Sequence, residues 1–200
     1  MGNADTSAGT LIAEKNITVQ DGSIDIGTVR VAGNLHVKSR AFLNMQEEWS
    51  SLSVGGDLKI SSGNGYGSWL GKGTLTLAGD LIQTKKSDSY CMRSMAADII
   101  LTGEKEQTIQ LKNPIGTKLY HLDLTGCEGV KFTEGALSVG WLKGFDKIRN
   151  EALSLFDSRI TLEQDETYHG ELICYGEMID CNGYRFIVKG NLNWKISFRV

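Results

Sequence analysis

The sequence predicts an all-β fold, a single-stranded parallel β-solenoid (β-helix) with coils of about 20–24 residues and a few loop or short-helix insertions. Three observations predict it. A short motif recurs at nearly constant spacing. Its flanks alternate apolar and polar residues. Glycine is abundant and proline almost missing. Residues 1–200 form one solenoid domain on this reading, and the chain is expected to be a fragment of a longer array.

The motif appears in TVRVAGNLHV (28–37), LSVGGDLKI (52–60) and TLTLAGDLI (74–82), then in IILTGE (99–104) and RFIVKGNLN (185–193). Its pattern is apolar-x-apolar-x-Gly-Asn/Asp-Leu. Gly33, Gly56, Gly79, Gly103 and Gly126 follow one another at intervals of 23, 23, 24 and 23 residues. Gly170 comes 44 residues later, which is two coils, and Gly190 a further 20. Alternation implies two short strands around each glycine, each burying one face. Such a unit cannot bury its apolar face alone, so copies must stack. Leucine-rich repeats share the period but not the consensus, and a propeller blade needs about 40 residues or more. A sandwich of irregular strands is the rival architecture.

The composition agrees. There are 24 glycines and a single proline, Pro114, in 200 residues, against norms of about 7% and 5%. Glycine supplies positive φ at tight turns without steric cost, so many turns are expected. Hydrophobic residues make up 40% and charged residues 22%, enough for a real core. The net charge of −3 argues against a broad nucleic-acid face. No apolar run reaches the ~18 residues of a membrane span. Met1 to Asp5 lack the basic and apolar regions of a signal peptide, so a secretion signal would lie outside this chain.

Four segments interrupt the repeat. Residues 39–51 carry RAFLNMQEEW (40–49), expected as a short helix or bulged loop. Residues 61–72 form a Gly/Ser-rich loop bearing Tyr66 and Trp69. Residues 84–97 are polar. In 141–157, Phe145, Ile148, Ala152 and Leu155 fall at helical spacing, which suggests a short packed helix, although Leu153 and Leu155 also alternate as in a strand. Solenoid insertions emerge as loops on one side, often the binding side. Tyr66 and Trp69 are therefore the candidate ligand-binding residues, for a sugar or a protein partner.

Asn34, Asp57, Asp80, Glu104, Cys127, Glu171 and Asn191 follow the repeat glycines. Turn chemistry accounts for the Asn and Asp residues. A sharper reading stacks Asp57, Asp80 and Glu104 in successive coils as a calcium site, although the calcium-binding nonapeptide is not present. Cys91, Cys127, Cys174 and Cys181 match no zinc spacing. They read as buried hydrophobes, with a Cys174–Cys181 bridge across a tight turn as the exception. His36, His121 and His169 sit in or beside strands, and Asp165 and Glu166 lie near His169. No nucleophile elbow, zinc-protease or phosphate-loop motif occurs, so no catalytic residue is assigned.

Three further stretches carry a resemblance: LTGEKEQTIQLKNP (101–114) with Leu122-Asp-Leu124 after it, ITLEQDETYHGEL (160–172) and DCNGYRFIVKGNL (180–192). Together, over about residues 27–194, they resemble the β-helical repeat region of bacterial extracellular, adhesin-like surface proteins. The resemblance implies an extracellular or cell-surface location and a non-catalytic structural or adhesive module. A glycan or a host or cell-surface protein would be its partner, without nucleic acid. Cys127, Cys174 and Cys181 depart from that group's small polar or apolar residues. The alternatives are a carbohydrate-active β-helix enzyme of lyase or hydrolase type, or a self-assembling scaffold or inhibitor-type binding protein. The chain stops mid-pattern at Lys195 to Val200 without a polar cap, which suggests either that more coils follow or that the end self-associates.

Overall fold

In the computed structural model, residues 4–5, 9–62, 68–84, 92–94, 97–156, 158–176 and 178–195 are described. All strand pairing among them is parallel, and the chain winds as a β-solenoid. Among the described residues the one helical element is a three-residue 3-10 turn, Phe145–Lys147.

Each coil visits three faces. The first face stacks Thr10–Ala13, Thr28–Val31, Ser51–Val54, Thr74–Leu77 and Asp98–Leu101. The second begins with residues 17–19 and 35–38, then Leu58–Ser62, Leu81–Gln83, Glu106–Gln110 and Gly129–Phe132. The third holds residues 21–25 and 40–45, followed by Ser68–Leu70 and Met92–Ser94. Lys118–Asp123 and Ala136–Lys143 run across the corner from the third face to the first. Beyond them, Ala152–Phe156, Glu171–Tyr175 and Leu192–Lys195 continue the third face. Arg159–Thr161 with Met178–Asp180 continue the first, and Glu166–Tyr168 with Phe186–Val188 the second.

The core follows from alternation. Leu52, Leu75, Ile99 and Leu122 form one inward column on the first face, and Leu35, Leu58, Leu81 and Ile109 one on the second. All belong to one continuous buried cluster. Burying each of these aliphatic side chains contributes roughly 1.5–3 kcal/mol, and the parallel register ensures that every coil delivers one to the same place. Spacing between paired residues ranges from 18 (Ile17 and Leu35) to 28 (Leu81 and Ile109), wider than the expected 20–24.

The repeat glycines serve stacking, not positive φ. Positive φ occurs at other glycines, among them Gly73, Gly144 and Gly183. A Cβ on Gly79 would lie 2.4 Å from the Gly56 carbonyl carbon and 2.6 Å from Asp57 Oδ1. The corner between first and second faces is thus closed to any side chain by the coil beneath it.

The first insertion, expected as a short helix or bulged loop, is a strand through Met45 followed by a turn, and the second is extended apart from the 3-10 turn Phe145–Lys147. Residues 40–45 continue the strand Leu35–Met45, which bends at Ser39 (φ 53°) and buries Ala41, Leu43 and Met45 in alternation. In 141–157, Ile148 bridges Val130, and Ala152–Phe156 buries Leu153 and Leu155. Neighbouring coils offer open backbone groups at each height, so pairing outweighs helical spacing. The last motif unit also changes phase. Gly33, Gly56 and Gly79 turn the chain from first to second face, whereas Gly190 turns it from second to third, stacked on Gly170.

Candidate functional site

The residues after the repeat glycines form a ladder between coils. Asn16 Oδ1 accepts the Asn34 backbone N–H (2.7 Å), and Asn34 Oδ1 accepts that of Asp57 (2.7 Å). Asp57 Oδ1 accepts from Asp80 N–H (2.9 Å), and Asp80 Oδ1 from Thr108 N–H (2.7 Å). Each side chain thereby satisfies a backbone amide of the next coil. The same device recurs later, where Asp165 Oδ1 accepts the Arg185 N–H (3.0 Å) and Oδ2 takes the guanidinium (2.6 Å). The Arg185 backbone N–H first, then its side chain, hold the Asp165 carboxyl below the usual carboxylate range.

Asp57 and Asp80 are consecutive rungs, as the calcium reading requires. Glu104 is not the third. Thr108 takes that rung, because four extra residues turn this corner and leave Glu104 exposed. Gln107 fills the space beneath. Its amide accepts from Gly103 N–H (2.8 Å) and donates to the Leu77 and Gly79 carbonyls. Among the described residues, no three His, Cys, Asp or Glu side chains gather as a cation site. Tyr66 lies outside the described residues. Trp69 is described only by its backbone, paired with Asn44 and Arg93.

Cys127 and Cys174 are buried, Cys181 is exposed, and none of the three is in a disulfide. Cys174 points into the core of the third face while Cys181 stands at an outer turn, so the anticipated bridge does not form. Burial pushes the Cys127 thiol up, against the opposing effect of Lys147 and Arg149. Glu166 is a buried carboxylate near His169. Both its oxygens accept backbone N–H groups, of Gly144 (3.0 Å) and Phe145 (2.9 Å), which makes it a corner fastener. His36 Nε2 lies 2.8 Å from Ser61 Oγ, and burial, then Lys38 and Lys59, lower its pKa.

The candidate site lies elsewhere, on the outer side of the first face. Parallel register stacks Asp98, His121 and Trp141 in three successive coils, with Ile100, Asp123 and Lys143 beside them. Asp98, Ile99, Ile100, His121, Asp123 and Trp141 line a groove of about 200 Å³. His121 Nδ1 is 2.7 Å from Asp98 Oδ1, and the imidazole meets the indole edge-on at 5.8 Å between centroids. Asp123 Oδ1 is engaged by Thr125 N–H (2.8 Å) and Oγ1–H (2.6 Å). Among the described residues nothing hydrogen-bonds His121 Nε2, the Trp141 indole N–H or the second Asp98 oxygen.

The sequence places His121 in or beside a strand and Trp141 at the head of the 141–157 interruption, and Asp98 belongs to none of its motifs. The signal was present in the intervals of 23 and 20 residues between them, which match the coil period. The chain matches no protein-family model, no curated protein and no solved structure.

Proposed function

We propose that the chain is a non-catalytic structural and adhesive module of a bacterial surface protein, binding a glycan or protein partner across its outer faces. The observation carrying this is how the carboxylates of the repeat are used. Asp57, Asp80, Asp165 and Glu166 are spent on backbone amides between coils, which builds length and rigidity. Outward rows are left for contact, including the Asp98–His121–Trp141 groove. The resemblance of residues 27–194 to adhesin-like repeats points the same way. The test immobilises the chain against a glycan panel and surface proteins of bacterial and host cells. Saturable binding supports the reading, and failure to bind any member of either panel sinks it.

A carbohydrate-active enzyme is the second reading, favoured by the Asp98–His121 pair with Asp123 in the same groove. An imidazole held by a carboxylate can move protons. That reading expects new reducing or unsaturated ends from a polysaccharide panel, lost on Asp98→Asn. The adhesive reading expects none from either protein.

A further inference from the structure

We propose that the groove of Asp98, His121 and Trp141 is a saccharide subsite that takes one pyranose ring of a neutral glycan. This inference rests on the adhesive reading and names its ligand chemistry. A pyranose presents an apolar C–H face and a rim of hydroxyls, which donate and accept in directional pairs. The groove offers the complement. Trp141 and Ile100 supply apolar surface, while Asp98 and His121 supply an acceptor and an imidazole nitrogen within one coil spacing.

The polar atoms are oriented before a ligand arrives. The 2.7 Å contact to Asp98 engages Nδ1 and holds the His121 ring, which leaves Nε2 available to a ligand, and the edge-on indole fixes the ring's tilt. Asp98 is exposed and its second oxygen has no hydrogen bond among the described residues, which leaves it as an acceptor for a hydroxyl. Groups held in place in this way lose little entropy on binding.

Other occupants fit less well. Two carboxylates, Asp98 and Asp123, outnumber Lys143 beside them and disfavour a phosphate backbone or an acidic sugar. Two carboxylates and an imidazole already engaged by one of them make a poor cation cage. A groove of about 200 Å³ is too small to take a helix.

The test uses the full chain on an array of neutral, acidic and amino-sugar glycans, followed by titration calorimetry with the best neutral oligosaccharide. Trp141→Ala is expected to weaken binding tenfold or more, as buried aromatic anchors do. Asp98→Asn, an exposed change that leaves the core untouched, is expected to weaken it several-fold. Trp49→Ala, an exposed tryptophan on a separate turn, is expected to change nothing. Unchanged melting by circular dichroism separates these losses from unfolding. If Trp141→Ala does not fold, Asp98→Asn decides alone. Glycan binding that survives Trp141→Ala and Asp98→Asn overturns the subsite and leaves the adhesive module standing. Binding only to acidic glycans also overturns it. Binding to a surface protein without any glycan binding overturns the subsite and keeps the module. No binding to either class overturns both.

Discussion

Gly79→Ala tests whether the repeat glycine exists for stacking. The added methyl would sit 2.4 Å from a backbone carbon of Gly56 and 2.5 Å from its carbonyl oxygen. Ordinary contact between carbon atoms is about 3.5–4.0 Å, so the two coils must part by about 1 Å at this corner. Two hydrogen bonds span the same gap, Gly79 N–H to Gly56 O (3.0 Å) and Asp80 N–H to Asp57 Oδ1 (2.9 Å). Weakening both costs about 1 kcal/mol each, and overpacking adds about 1–3 kcal/mol. A total near 4 kcal/mol lowers Tm by about 8–16 °C for a chain of this size. Gly183→Ala is the control. Its φ of +83° strains alanine, but no atom lies within 4 Å of the new Cβ, so only the left-handed cost of about 1–2 kcal/mol applies. Urea and thermal unfolding, followed by circular dichroism, compare the three proteins. Should Gly79→Ala cost no more than Gly183→Ala, the stacking argument is wrong and turn conformation explains the repeat glycine.

Tyr168 is fully buried, donates to the Asn150 carbonyl (2.9 Å) and has its pKa pushed up to about 12 by burial and then by Glu171. Because the folded pKa lies above the unfolded value near 10, its contribution is complete below pH 10 and is lost as pH rises towards 12. Tyr168→Phe is expected to flatten stability over that window in urea titrations at stepped pH, and an unchanged slope would count against the assignment. The His36 pKa is lowered by burial first and by Lys38 and Lys59 next. Its stabilising neutral form is complete above the ordinary 6.5 and is lost as pH falls below it. An NMR titration is expected to place the His36 midpoint below 6.5, with Lys59→Ala raising it part of the way; a midpoint at or above 6.5 refutes the attribution. A thiol reagent should label Cys181 in the native protein and spare Cys127 and Cys174 until urea is added, read by peptide mass analysis with Cys181→Ser as the control. Native labelling of Cys174 would mean that the third face opens more easily than its packing implies.

What one sequence could establish here was the periodic part. Apolar residues alternating around Gly-Asn/Asp-Leu at intervals near 23 specify strands, corners and the need to stack, because each is a local preference repeated in register. Three things required the tertiary structure. The motif encodes strand–corner–strand without saying which corner, so the Gly190 unit resembles the Gly56 unit yet turns between different faces. Helical spacing in 141–157 was real but lost to the open strands of neighbouring coils, a term with no local trace. The ladder rung after Asp80 passes to Thr108 and not Glu104, because only the stacked coil reveals how many residues a corner absorbs. The candidate groove has the same origin. Asp98, His121 and Trp141 share no motif, and they become neighbours only because coils of 23 and 20 residues bring them to one column, one strand spacing apart.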